Sequence, residues 1–285
     1  AATGLNEKAA QAAGLSYEKI VLSPLSHAGY YPGGKLMTMK VLYEKGSQRL
    51  LGAQIVGQEG VDKRIDVLAT AMQAGLPVTA LKDLDLAYAP PYASAKDPVN
   101  LVGFMAENLE QGVVKQFHWE DVAGLPRDGS VTLLDARTPG EYSGGCAEGF
   151  VNVPLDELRD RLGEIAPGKP VYVMCQSGLR SYLACRILAQ NGYDCYNFSG
   201  GFRFYDAVTA SMRASCWTGG PGRMPIPAAW SGPEQQTPPS GFLPGGGVCP
   251  LYILAGSGYS RRERFLARGR GTWTTRCGSR PGGRL

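Results

Sequence analysis

From Lys35 to Gly46 apolar and polar residues alternate (KLMTMKVLYEKG), the period-2 signature of a strand with one buried face. RLLGAQIVG (49–57) follows, and Lys45, Gly46, Ser47 and Gln48 between the two runs have the composition of a hairpin connection. Over VDKRIDVLATAMQAGL (61–76) the period changes. Ile65, Leu68, Ala69 and Met72 fall at helical spacing, and Gly75 and Pro77 close the pattern. Antiparallel strands with a helix laid against them predict an α+β layer design for residues 1–108.

Residues 109–117 read as a linker. From 118 to 208 strand and helix signals alternate. VTLLDAR (131–137) and PVYVMC (170–175) are short apolar runs of buried-strand type, and CYNFSGG (195–201) is a third candidate running into a glycine turn. LDELRDRL (155–162) has helical spacing, and RSYLACRILAQNGY (180–193) is an amphipathic helix ended by Gly192. Strand–helix alternation predicts an α/β domain with a parallel sheet.

Composition then separates off the C-terminus. Residues 216–285 hold 15 Gly, nine Pro and nine Arg, no Lys and two Glu. This predicts a disordered tail over 211–285, with a bias expected of an out-of-frame translation. The tail carries about +7 of local charge against a chain total of +4, which leaves residues 1–215 slightly acidic. The folded part therefore offers no nucleic-acid face. No run of about 18 apolar residues exists, so no membrane span is expected. Seven Cys are present, at 146, 175, 185, 195, 216, 249 and 277, without a Cys-x-x-Cys pair. Neither a metal site nor a disulfide scaffold is expected, and the thiols read as reduced and the protein as cytoplasmic.

The strongest chemical signal is Cys175-Gln176-Ser177-Gly178-Leu179-Arg180-Ser181, between a buried strand and a helix. A thiol there faces free backbone N–H groups and the positive end of the helix dipole, and Arg180 adds a cation. Both effects favour the thiolate, so Cys175 is expected to alkylate faster than the other thiols. Gly178 lets the loop curl into an anion cradle. Four residues separate Cys175 from Arg180, a ring suited to one terminal sulfur rather than a phosphate, and no carboxylate lies inside the loop. A small Cys-dependent phosphatase is therefore disfavoured.

The runs LLDARTPGEYSGGCAEGFVNVPLDELRDRL and VYVMCQSGLRSYLACRILAQNGYDCYNFSGGF closely resemble a single rhodanese domain. The resemblance implies that Cys175 accepts a sulfane sulfur and passes it to a thiol, with Gln176, Ser177, Gly178, Leu179 and Arg180 cradling the persulfide. Asp135 and Arg137 match the family's Asp-x-Arg near the loop and read first as a structural ion pair. Where the family usually has His in a Gly-His-Ile-Pro-Gly-Ala run, this chain has Gly145-Cys146-Ala147-Glu148-Gly149-Phe150, which implies altered packing. The alternative is a non-catalytic rhodanese-like module whose loop recruits a partner. The other cysteines read as small core residues, and Arg186 as a solvated charge.

Residues 1–108 resemble the dimerisation domain of pyridine nucleotide-disulfide oxidoreductases, nearest the coenzyme A disulfide reductase branch. YAPPYASAKDPVN (88–100) is the most specific piece. The resemblance implies a homodimer through these residues, with Tyr30 and Tyr88 facing the partner subunit's active site. It also implies FAD, NAD(P)H and coenzyme A in a full-length parent, with no cofactor bound by the rhodanese domain. No Gly-x-Gly-x-x-Gly fingerprint follows a strand in this sequence. The chain therefore reads as the C-terminal piece of a larger disulfide or persulfide reductase, without flavin-dependent reduction of its own.

Overall fold

The computed structural model describes residues 1–217, with side chains to residue 210. In the N-terminal half the alternating runs pair as expected. β1 (Ala2–Gly4), β2 (Tyr17–Leu22), β3 (Met37–Glu44) and β4 (Leu50–Gly57) form an antiparallel sheet in the order β1-β4-β3-β2. The β3–β4 hairpin turns through residues 45–49, with Gln48 and Gly46 in the left-handed region. On the buried face Met37, Met39, Val41 and Tyr43 meet Ile65 and Leu68 of α2 (Val61–Gln73) and Val99 and Val102 of α3 (Pro98–Glu110). A 3-10 turn (Val78–Asp83) adds Val78 and Leu81 to this core, and α1 (Glu7–Ala12) lies by the other face of the sheet, where Glu7 pairs with Lys19 and Lys40.

The helical period of α2 conceals one core residue that is not apolar. Arg64 is 1% exposed. Its guanidinium donates to Asp97 Oδ2 (2.9 Å), Ser26 O (2.8 Å) and Gly60 O (3.1 Å). A buried cation persists only when paired and hydrogen-bonded in this way. It ties the segment bearing Tyr30 to the N-terminus of α3.

The second sheet is parallel, as the strand–helix alternation predicts. β5 (Lys115–Phe117), β6 (Thr132–Asp135), β7 (Val151–Asn152), β8 (Val171–Met174) and β9 (Cys195–Phe198) lie in the order β5-β9-β8-β6-β7. Two short helices, α4 (Trp119–Val122) and α5 (Pro139–Ser143), precede α6 (Leu179–Gln190) and α7 (Gly201–Trp217). The chain moves from β6 to β7 on one side and to β8 on the other. The crevice at the carboxyl ends of β6 and β8 is therefore a topological switch point, where open α/β sheets place their sites.

Three details depart from the sequence reading. The expected linker contributes β5, an edge strand paired with β9. Residues 155–161 form turns followed by a 3-10 helix at Leu162–Glu164, not the helix expected over 155–162. Leu158 is fully buried and Leu155 packs beside it, so one turn satisfies the core, and a helix that short has little stability of its own. The last helix continues to Trp217, past residue 208. The remainder of the expected disordered tail lies outside the described residues.

The two sheets are joined directly. Val21 N–H donates to Ser199 Oγ (3.1 Å), Gln116 Nε2 donates to Lys19 O (2.7 Å), and Lys19 pairs with Glu120 (2.7 Å). Arg186, read as solvated, donates to Val113 O at 2.6 Å. Among the described residues no helix is long and apolar enough to cross a membrane.

Candidate active site

β8 ends at Met174, and the next residue, Cys175, is fully buried at the start of the loop. Its Sγ accepts from Gly178 N–H at 3.1 Å and from Ser181 Oγ at 3.2 Å. Gly178 is the N-cap of α6 with φ 102°, and it makes no side-chain cap hydrogen bond. The open amide end of the helix is thereby turned towards sulfur rather than consumed by a cap. A left-handed φ at this position suits glycine alone.

The loop is held from behind by backbone. Phe202 N–H donates to Cys175 O (2.7 Å), and Arg203 N–H to Gln176 O (3.2 Å). This close approach explains Gly201, where a Cβ would lie 2.5 Å from Ser177 N and 2.6 Å from Gln176 C. The Ser-Gly-Gly run after β9 is thus part of the site, although the sequence reading saw only a glycine turn there. On the interdomain side, Ser177, Gly178 and Leu179 line a largely apolar cavity of about 280 Å³ with Leu101, Phe104 and Tyr182.

Asp135 and Arg137 form a buried pair under the loop, with Nη2 to Oδ2 at 2.7 Å. Arg137 also donates to Gly145 O (2.7 Å), Glu141 O (3.1 Å) and Gln176 Oε1 (3.3 Å), and its guanidinium stacks 4.0 Å from the Phe202 ring centroid. The two residues therefore scaffold the loop.

The Arg180 guanidinium forks onto Glu141, with both terminal nitrogens 2.7 Å from the two carboxylate oxygens, and its charge also acts on Cys175. A bidentate fork of this kind is among the stronger ion-pair geometries. Glu141 also accepts from Thr138 N–H and Oγ1, each at 3.0 Å, and so closes the capping box of α5. The Arg180 hydrogen bonds hold its carboxyl down to about 2. The sequence reading found no carboxylate inside the loop, and Glu141 supplies one at its rim. Ionised at neutral pH, it has no proton to give a phosphate leaving group.

A carboxyl lowered from 4.5 to about 2 on folding contributes stability above pH 4.5 that is lost as pH falls through 2. The clamp is accordingly expected to stabilise wild type over Glu141→Gln at pH 6. That gap should shrink steadily below pH 4.5 and be lost as pH falls through about 2 in melts followed by circular dichroism.

The thiols need one correction. Cys175, Cys185 and Cys195 are buried and Cys146 is exposed. Exposure outranks thiolate character for a bulky reagent, so Cys146 is expected to alkylate before Cys175, reversing the order read from sequence. Maleimide labelling with peptide mapping checks this. Cys195 Sγ lies 3.2 Å from Cys185 O, and the contact with Cys195 together with burial pushes the Cys185 thiol well up. Both belong to the core.

In the first domain the hydroxyls of Tyr30 and Tyr88 meet at 2.5 Å, with the rings 76% and 47% exposed. The hydrogen bond with Tyr30 pushes the Tyr88 phenol up. Tyr31 and Tyr92 are exposed around them. Two adjacent phenols open to solvent could donate to a group brought by another surface.

Residues 1–98 match the family profile of the pyridine nucleotide-disulphide oxidoreductase dimerisation domain, and residues 118–207 that of the rhodanese-like domain. The coenzyme A disulfide reductase of Staphylococcus haemolyticus (strain JCSC1435) is 44% identical over 93 residues, which make up 33% of this chain and 21% of that protein. Among solved structures, reduced Bacillus anthracis CoADR-RHD is 45% identical with a TM-score of 0.71, over 74% of this chain and 38% of that one. An NAD-dependent persulfide reductase from A. fulgidus is 39% identical with a TM-score of 0.64, over 71% of this chain and 36% of that one. The chain spans about a fifth of the length of the curated relative it matches. It joins a pyridine nucleotide-disulphide oxidoreductase dimerisation domain to a rhodanese-like domain.

Proposed function

We propose that the second domain is a sulfurtransferase that carries sulfane sulfur as a persulfide on Cys175 and passes it to a thiol. The observation that carries this reading is the placement of Cys175 Sγ at a strand end, between Gly178 N–H and Ser181 Oγ at the start of α6. The thiolate attacks the outer sulfur of a donor, the new S–S bond forms, and the donor's carrier leaves with the electron pair of the bond that breaks. A second thiolate then takes the sulfur and returns Cys175 to its starting state. The loop supplies hydrogen bonds to the charge at each stage.

The wider reading is a homodimeric coenzyme A disulfide or persulfide reductase of which this chain forms part. Bound FAD and NAD(P)H would supply the reducing electrons. This chain's share is the Tyr30–Tyr88 pair, whose exposed hydroxyls fit a role of hydrogen-bonding a leaving thiolate in the partner subunit's site and holding a proton there. The acceptor this reading names is the coenzyme A thiol, which becomes coenzyme A persulfide, and in the reverse direction that persulfide is the donor.

Full burial of Cys175 favours a second reading, a rhodanese-like binding module with an inert thiol. Turnover separates the two. Supplied with an organic persulfide and excess thiol, the protein is expected to catalyse sulfur exchange well above the uncatalysed rate. No acceleration with Cys175 intact and reduced would leave the binding module.

A further inference from the structure

We propose that Glu141 selects the sulfur donor. By cancelling the charge of Arg180 at the rim of the Cys175 loop, it favours sulfane sulfur borne on an organic thiol, whose reacting end carries at most one negative charge, over a small dianion such as thiosulfate. This rests on the sulfur-transfer reading above and names its substrate class.

The charges around the loop are arranged in closed pairs. Arg137 is buried and held by Asp135. Arg180 is the loop's own cation, and both of its terminal nitrogens are occupied by Glu141. The Arg180 and Glu141 side chains are 32% and 34% exposed, so the pair can be reached from solvent. Glu141 cannot easily swing away, because Thr138 holds the same carboxylate from the far side. The two pairs sum to zero formal charge. Arg203, whose N–H is bonded to Gln176 O, is exposed, and solvent screens its field.

Both donors undergo the same exchange with different leaving groups. With an organic persulfide, Cys175 Sγ bonds to the outer sulfur and the carrier departs as a thiolate. With thiosulfate, the same bond forms and sulfite leaves as a dianion. The reacting end of the first donor brings at most one negative charge, located on sulfur, where Gly178 N–H and the N-terminus of α6 receive it. The second brings two charges and releases two, past a carboxylate and a guanidinium whose fork is already filled. A site built for that dianion would keep the fork free for it, since a planar guanidinium matches such oxyanions in bidentate fashion.

Replacing Glu141 by Gln tests the assignment. Gln retains the capping-box role and an acceptor for Arg180, so the fold is expected to hold. The efficiency kcat/KM is measured with thiosulfate and with the persulfide of 2-mercaptoethanol, using one thiol acceptor throughout. Unmasking one cation is expected to raise the thiosulfate value about tenfold and to steepen its fall with salt, while the organic persulfide changes by less than about threefold. Glu141→Asp keeps the charge, and its donor ratio is expected to stay near that of wild type even if absolute rates drop. An equal change with both donors, or no gain with thiosulfate, overturns the inference alone. Failure of both donors to place sulfur on Cys175 in all three proteins overturns the sulfur-transfer reading and this inference with it.

Discussion

Replacing Cys175 by Ser is expected to lower thiol-dependent sulfur exchange by at least about a thousandfold while leaving the fold intact. The size follows from the chemistry. Serine is a far weaker nucleophile at neutral pH and cannot hold a sulfane sulfur, and removal of a covalent nucleophile leaves only what binding and positioning supply. The small structural effect follows from the geometry. A serine oxygen can accept from Gly178 N–H and Ser181 Oγ in place of sulfur, so no buried donor is left without a partner. Cys146, exposed on a neighbouring loop, is the built-in control. Cys146→Ser is expected to remove most of the fast alkylation among the described cysteines and almost none of the exchange. Loss of exchange in Cys146→Ser with retention in Cys175→Ser would move the chemistry to the wrong loop for this account.

The largest expected effect on stability comes from Arg137. Asp135 is fully buried, and Arg137 is 1% exposed. Truncation to Ala leaves that carboxylate without its cation and frees the carbonyls of Gly145 and Glu141 together with Gln176 Oε1. Breaking one side of a buried pair costs about 3–5 kcal/mol, which for a folded region of this size is a fall in melting temperature on the order of 10 °C. The double variant Asp135→Asn with Arg137→Met is expected to recover part of the loss, because no uncompensated charge remains. Calorimetry of the three proteins checks this. A single Arg137→Ala variant melting within about 2 °C of wild type would show that the pair does not scaffold the loop.

These two sites differ in how far they could be read from the chain. The Cys175 loop is legible because every part of it is local. An apolar strand ends, a glycine with a left-handed φ turns the backbone, and a helix starts, all within residues 171–181. The strand–helix alternation and the β3–β4 hairpin are legible for the same reason, since period and turn residues act over a few positions. What was not legible depends on distant pairing. The Thr138–Glu141 capping box could have been seen from its spacing, but its partner Arg180 lies 39 residues away. The same holds for Gly201, which is small because the Gln176–Ser177 backbone passes over it, and for Arg64 and Arg186, charged residues on helices whose carbonyl partners come from other segments. The burial of Cys175 belongs here too. Its place between strand and helix is local, but packing of α6 over the strand end decides its access.

Burial therefore makes location the decisive question. After treatment with one equivalent of an organic persulfide, alkylation trapping and peptide mapping will report which cysteine holds the added sulfur. This account predicts it on the peptide containing Cys175, in wild type and in Cys146→Ser alike. Added sulfur on Cys146 with Cys175 unmodified would contradict it.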